Sequence, residues 1–124
     1  KQIRYLGDLT ESEKIKKLQR SKALLYYTSH PEVTSHKDQE ALLCGLPIIT
    51  FNIGAAPEII TDGVNGFLCN ANDMNDWTRK LNQLVNNHQL RKRMGQASLL
   101  KVKKEFQWSL AVKKHLEVFS SLIK

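Results

Sequence analysis

The stretch Ser29-His30-Pro31-Glu32-Val33-Thr34-Ser35-His36-Lys37-Asp38-Gln39-Glu40, running on into Ala41-Leu42-Leu43-Cys44-Gly45-Leu46-Pro47-Ile48-Ile49, carries the punctuation from which the fold can be read. Ser35 has the chemistry of a helix N-cap, with Asp38 at the third position after it, and Gly45 with Pro47 supplies a stop, so a short helix is predicted between them. Apolar runs of strand length flank it, Ala23-Leu24-Leu25-Tyr26-Tyr27 before and Ile48-Ile49-Thr50-Phe51 after. Such runs are expected where both faces of a parallel sheet are covered. The order is therefore strand, loop, helix, strand. Glu32 falls in the loop and Glu40 just inside the helix, an arrangement suited to a polar ligand lying across a loop and a helix N-terminus.

The same alternation extends outward. Ile3 to Leu6 has the composition of a strand, and Thr10-Glu11-Ser12-Glu13 is a capping box that opens a helix running to about Ser21. Beyond residue 51, Gly54-Ala55-Ala56-Pro57-Glu58 leads into a short helix with proline at its first position. The turn dipeptides Asp62-Gly63 and Asn65-Gly66 bracket the brief strand Phe67-Leu68-Cys69. Met74, Trp77, Leu81, Leu84 and Val85 recur at helical spacing behind the cap Asp73. Leu90, Met94 and Ala97 line one face of a further helix, and Trp108, Ala111, Val112, His115, Phe119 and Leu122 line the last. Trp108, Phe119 and Leu122 form one apolar stripe and are expected to be buried, with part of the stripe exposed where the chain stands alone as a fragment. Repeated strand and helix followed by helices predicts an α/β fold, a mainly parallel Rossmann-like sheet with C-terminal helices.

Composition sets the class. With 124 residues, 41% hydrophobic and 25% charged, the chain reads as one globular unit. No apolar run reaches the roughly 18 residues of a membrane helix, and no signal peptide opens it. Because the first residues already look like a strand, the chain is read as a fragment of a larger protein. Cys44 and Cys69 read as buried reduced thiols, and with four scattered histidines they offer no zinc spacing. A reducing cytoplasm is the expected compartment. The net charge of +7 sits largely in the C-terminal third, through Arg91, Lys92, Arg93, Lys101, Lys103, Lys104, Lys113 and Lys114. No aromatic residues interleave with these charges as in nucleic-acid modules, so they read as a solvated helical face, with a peripheral contact to a membrane surface left open.

In open parallel sheets, ligands collect beyond the carboxyl ends of the strands. The loops at 28–35 and 52–57 both follow predicted strands, so they are expected to face one crevice. Helix N-termini there offer N–H groups and a positive dipole end, suited to phosphate or a sugar phosphate. Glu32 suits vicinal sugar hydroxyls, since an ionised carboxylate accepts two hydrogen bonds side by side, or else a surface ion pair with a lysine. Glu40 has the same two readings, a ribose or a plain helix-dipole contact.

Taken together, Glu32, Glu40-Ala41 and Cys44-Gly45-Leu46-Pro47-Ile48-Ile49 resemble the Glu-x7-Glu signature of retaining glycosyltransferases with two Rossmann-like lobes, the GT-B architecture of group 1, family 4. The resemblance continues through Gly54-Ala55-Ala56-Pro57-Glu58-Ile59-Ile60, Asp62-Gly63-Val64-Asn65-Gly66-Phe67-Leu68, Asp73 and Phe106-Gln107-Trp108, in order and over essentially the whole chain.

What it implies is the C-terminal, donor-binding lobe of such an enzyme. Glu32 is then the catalytic carboxylate, holding the donor sugar's hydroxyls beside the reacting carbon, and Glu40 holds the ribose. Thr34, Ser35, His36, Gly54 and Ala55 complete the donor site, chiefly through backbone N–H groups. The co-substrate is a nucleotide-diphosphate sugar and the acceptor a glycan, a lipid or lipid-linked molecule, or another acceptor, with no metal or other cofactor and no nucleic acid as partner. The family's diphosphate-gripping arginine and lysine are expected before Lys1, and the acceptor lobe elsewhere, so the fragment alone should not turn over. Two departures bear on donor choice and catalytic strength. Val33-Thr34-Ser35-His36 stands where an aromatic residue and a glycine are usual, and Gly54-Ala55 where a twin glycine is usual. The first departure motivates a second reading, a non-catalytic partner or chaperone subunit of the same fold. A receiver-like or flavodoxin-like module is disfavoured, because Asp8 stands alone after the first strand and no aspartate ends the run from Ala23 to Thr28.

Overall fold

The computed structural model describes residues 3–31 and 36–123. Helix α1 (Glu11–Arg20) starts at the capping box: the Glu13 N–H donates to the Thr10 hydroxyl at 3.4 Å and the Thr10 N–H to the Glu13 carboxylate at 2.9 Å. Strand β1 (Leu24–Tyr26) follows, then α2 (His36–Leu43), β2 (Ile48–Phe51), α3 (Ala56–Ile59) and β3 (Gly66–Cys69). Three helices close the chain, α4 (Met74–Asn86), α5 (His88–Glu105) and α6 (Trp108–Leu122).

The sheet is parallel throughout in the order β1-β2-β3, with Leu24 opposite Ile48, and Ile48 opposite Gly66. Because side chains alternate along a strand, β2 feeds two separate cores. Ile48 packs with Ala41, Leu42, Leu46, Ile59, Ile60 and Val102 on one face. Ile49 and Phe51 pack with Phe67, Cys69, Trp77, Leu84 and Met94 on the other. Helix α2 covers the first face and α4 the second, while α5 contributes to both, Met94 near its start and Val102 near its end. All four residues of β2 are buried, as a central parallel strand requires.

Helix α2 ends as its glycine predicts. Gly45 lies at φ +69, its N–H donating to the Leu42 carbonyl and that of Leu46 to Ala41, which together satisfy the last carbonyls of the helix. Asp73 caps α4 by accepting from the N–H groups of Asn75 and Asp76. Asn65 works as a core polar anchor: its side chain donates to the Ile59 carbonyl and accepts from the Thr61 N–H, and the Ser98 hydroxyl of α5 closes on its backbone carbonyl.

Four expectations are corrected. Residues 3–6 are irregular rather than a strand, with Ile3 and Tyr5 fully exposed, because none of the three strands pairs with them. Strand β1 is incompletely covered on the α4 side: as an edge strand it leaves Leu25 half exposed there, although Ala23 and Tyr27 on either side of it pack against that core. Pro57 occupies the second position of α3, since Ala55 is the N-cap and Ala56 opens the helix; both first-turn positions tolerate a missing N–H. Helix α6 has no buried residue, and Trp108, Phe119 and Leu122 are exposed, since nothing among the described residues covers the stripe that they form. On α5 the buried face is Met94, Gly95, Ser98 and Val102, with Ala97 at its margin, a pattern that small residues disguise.

Candidate functional site

The carboxyl ends of β1 and β2 open into the same recess, as the two loops imply. It is lined by Tyr26 and Thr28 from β1 and its loop, Asp38 from α2, Thr50 from β2, and Ile53, Ala55, Ala56 and Ile59 from the turn and helix that follow. The enclosed space is about 20 Å³, enough for one water and far too small for a nucleotide. It is the floor of a site rather than the site itself. Asp38 and Thr50 are both buried against it, setting two polar side chains in a floor that is otherwise largely apolar.

The loop after β1 is organised locally. The Thr28 hydroxyl accepts from the His30 N–H at 3.2 Å and donates to its carbonyl at 3.0 Å, and Ser29 Oγ lies 3.0 Å from His30 Nδ1. After β2 the chain turns through Gly54 at φ +56, a left-handed conformation costly for a residue with a Cβ, and the Ala56 N–H closes the turn on the Ile53 carbonyl. These two turns set the walls of the recess.

Helix α2 presents three faces to three surroundings. Asp38 points inward to the recess. His36 and Gln39 line a groove of about 420 Å³ together with Phe106, Gln107 and Trp108, at the junction of α5 and α6. Glu40 turns toward α1, where Lys14 Nζ stands 2.8 Å from its Oε1 while also meeting Glu11 at 3.0 Å. Hydrogen bonding to Glu40, then to Glu11, holds the Lys14 ammonium above the usual lysine range, so Lys14 stays charged at neutral pH. Near the mouth of the recess Lys37 Nζ lies 3.3 Å from the Tyr26 hydroxyl and 4.5 Å above its ring centre.

Of the residues expected to form the donor site, Glu32, Thr34 and Ser35 lie outside the described residues, as does the Ser35 cap. Ala55 lies on the recess with Asp38 and Thr28, and Gly54 makes the adjoining turn. Glu40 is on the same short helix, directed at α1, while the exposed His36 faces the α5–α6 groove instead. Lys14 and Lys37 were not anticipated. Lys14 reaches across 26 positions of sequence, and only its spacing from Glu11 is a local signal of an ion-pairing role. Among the described residues there is no cluster of three metal-ligating side chains, and no helix is long and apolar enough to cross a membrane. Cys44 and Cys69 are free thiols; burial pushes Cys44 up and Cys69 up to about 11, which keeps both protonated at neutral pH.

The sequence and the fold are similar to those of known proteins. Residues 1–100 match the family model described as glycosyl transferases, group 1. An uncharacterised glycosyltransferase of Methanocaldococcus jannaschii is 35% identical over 83 residues, which make up 67% of this chain and 23% of that protein. The crystal structure of Anabaena HepE in complex with UDP-glucose has the same fold, with a TM-score of 0.78 at 21% identity, covering 88% of this chain and 30% of that one. The C-terminal domain of a group 1 family glycosyl transferase from Francisella tularensis gives a TM-score of 0.67 at 25% identity, over 83% of this chain and 53% of that domain structure. The chain spans between 21% and 23% of the length of the first curated relatives that it matches.

Proposed function

The chain belongs to the group 1 glycosyltransferases, and on that footing we propose that it is the donor-binding lobe of an enzyme that transfers a hexosyl group from a nucleotide diphosphate with retention of configuration. The observation that carries this reading is the recess at the carboxyl ends of β1 and β2, walled by Thr28, Asp38 and Ala55, with Glu40 on the helix that borders it. A nucleotide sugar lies over this floor, where α2 directs its N-terminal dipole and N–H groups at the diphosphate. Glu40 accepts from the ribose hydroxyls and Glu32 from the sugar hydroxyls. Gly54 and Ala55 bring backbone close to the donor, and the segment of Thr34, Ser35 and His36 offers N–H groups to it.

The chemistry follows from where charge develops. As the bond from the sugar's anomeric carbon to the diphosphate breaks, positive charge grows on the sugar, and a carboxylate against that ring lowers the barrier more than it tightens the ground state. The crystal of a relative with UDP-glucose supports a nucleotide-diphosphate hexose as the donor class. The acceptor is a glycan or a lipid-linked glycan of the kind used in polysaccharide or glycoconjugate synthesis, and the basic face of α5 and α6 suits a peripheral contact with an anionic membrane.

Titration of the full-length protein against a panel of UDP- and GDP-hexoses, followed by analysis of the product's anomeric configuration, tests the reading. Binding of one donor and a retained product are expected. An inverted product overturns the retaining assignment, and binding without any turnover favours a non-catalytic subunit of the same fold.

A further inference from the structure

We propose that Lys14 is a positioning residue for Glu40, and that through it α1 sets the preference of this lobe for a ribonucleotide. The inference rests on the reading above that Glu40 meets a ribose. Its own support is the contact between the two helices. Lys14 Nζ is 2.8 Å from Glu40 Oε1, and neither side chain is more than about a third exposed, at 32% for Lys14 and 24% for Glu40. The pair is therefore partly withdrawn from water, where an ion pair is screened less than at an open surface.

A glutamate side chain has three rotatable bonds, and by itself would sample many positions over the α2 surface. Lys14 removes that freedom at one oxygen. With Oε1 engaged, the carboxylate is anchored at one oxygen, and Oε2 remains as an acceptor together with the second lone pair of Oε1. Two acceptor directions at fixed spacing match two neighbouring hydroxyls, which is what a ribose offers and a 2′-deoxyribose does not. Helix α1 has no buried residue, and Leu18 is its partly buried contact with the core, so this ion pair is a principal tie between α1 and the site. Glu11, 73% exposed and 3.0 Å from the same ammonium, competes for Lys14 without reaching α2.

The discriminating measurement is a ratio. Dissociation constants for UDP and 2′-deoxy-UDP, with GDP and 2′-deoxy-GDP in parallel, are determined by calorimetry on the full-length protein and on Lys14→Met, Lys14→Gln, Lys14→Arg and Glu11→Gln variants, with thermal melts to confirm folding. The wild type is expected to favour the ribonucleotide by about tenfold or more, the value of one lost charge-assisted hydrogen bond. In Lys14→Met and Lys14→Gln that preference should fall to within about threefold, because the ribonucleotide weakens while the deoxynucleotide hardly moves. Lys14→Arg should restore most of it, and Glu11→Gln should leave it intact. A role confined to bracing α1 would weaken both nucleotides alike and leave the ratio unchanged, which overturns the inference. A wild type that binds no nucleoside diphosphate, or binds both forms equally, overturns the reading of Glu40 itself.

Discussion

Gly45 and Gly95 meet backbone to backbone: a Cβ added at Gly95 would lie 2.2 Å from the Gly45 carbonyl oxygen. The absent side chain of Gly95 is what allows α5 to cross the end of α2 so closely, and that crossing supports the helix carrying Asp38 and Glu40.

Gly95→Ala should therefore destabilise the protein, although alanine in a helix interior is ordinarily favoured over glycine by about 0.5 to 1 kcal/mol. Overpacking against backbone outweighs this gain, with an expected net loss of about 1 to 3 kcal/mol and a lower melting temperature. Urea unfolding of the variant measures it, and a midpoint at or above that of the wild type would mean that the two helices separate without strain.

Asp76 makes a second, pH-dependent prediction. Its carboxylate accepts from the Asn70 N–H at 2.9 Å and lies 3.2 Å from Lys80, whose ammonium also donates to the Leu68 carbonyl. The Asn70 hydrogen bond, with the Lys80 and Arg79 contacts, holds Asp76 below its ordinary 3.8 against the opposing effect of burial. A depressed carboxylate stabilises the fold above its unfolded-state value and loses that contribution as the pH falls through the folded one. Asp76→Asn should lower stability at neutral pH, and the gap from wild type should narrow progressively as the pH falls below about 4. Unfolding midpoints from pH 3 to 7 decide it; a gap independent of pH would remove the ionised group from the explanation.

The two glutamates of the proposed donor site should separate kinetically in the full-length enzyme. Glu40→Ala should raise the donor KM, losing charge-assisted hydrogen bonds worth about 1.5 to 3 kcal/mol each, without unfolding the lobe. Glu32→Gln should depress kcat by at least ~10-fold while donor affinity moves less, because its contact strengthens as charge builds on the sugar. Unchanged donor KM and kcat in Glu40→Ala, or wild-type kinetics in Glu32→Gln, would displace the respective residue from its role.

Helix α6 predicts the solution behaviour of the isolated 124-residue chain. Trp108 is 84% exposed, Leu122 74% and Phe119 57%, on one side of the helix with Val112 and Leu116. An apolar stripe of this kind drives association. Sedimentation velocity should show concentration-dependent self-association that Phe119→Glu abolishes, and a clean monomer at high concentration would count against it.

The parts of this molecule that announce themselves in sequence are those governed by neighbours a few residues apart. Thr10 with Glu13, Asp73 ahead of α4, and Gly45 after α2 are local devices and stand where their spacing puts them. Strands β2 and β3 are similarly legible from apolar runs bounded by turns. Residues 3–6 mislead because strand composition does not supply a pairing partner. Helix α6 misleads because periodicity shows which face is apolar and says nothing of what lies against it. The site divides in the same way. The place of Glu40 on α2 and the Gly54 turn are legible from spacing and backbone chemistry, whereas the ion pair of Lys14 with Glu40 joins residues 26 positions apart, which no local spacing encodes.

The wholly parallel sheet also governs how the chain finds its fold. Leu24 pairs with Ile48 and Ile48 with Gly66, partners 24 and 18 positions apart, so no two strands of the sheet can meet through a tight hairpin. Each pairing must close a long loop before any ladder bond rewards it, while α4 and α5 adjoin along the chain and can dock early. Assembly then hinges on β2. Its burial on both faces makes it depend on partners from both sides, and the recess at its carboxyl end is built from those same elements.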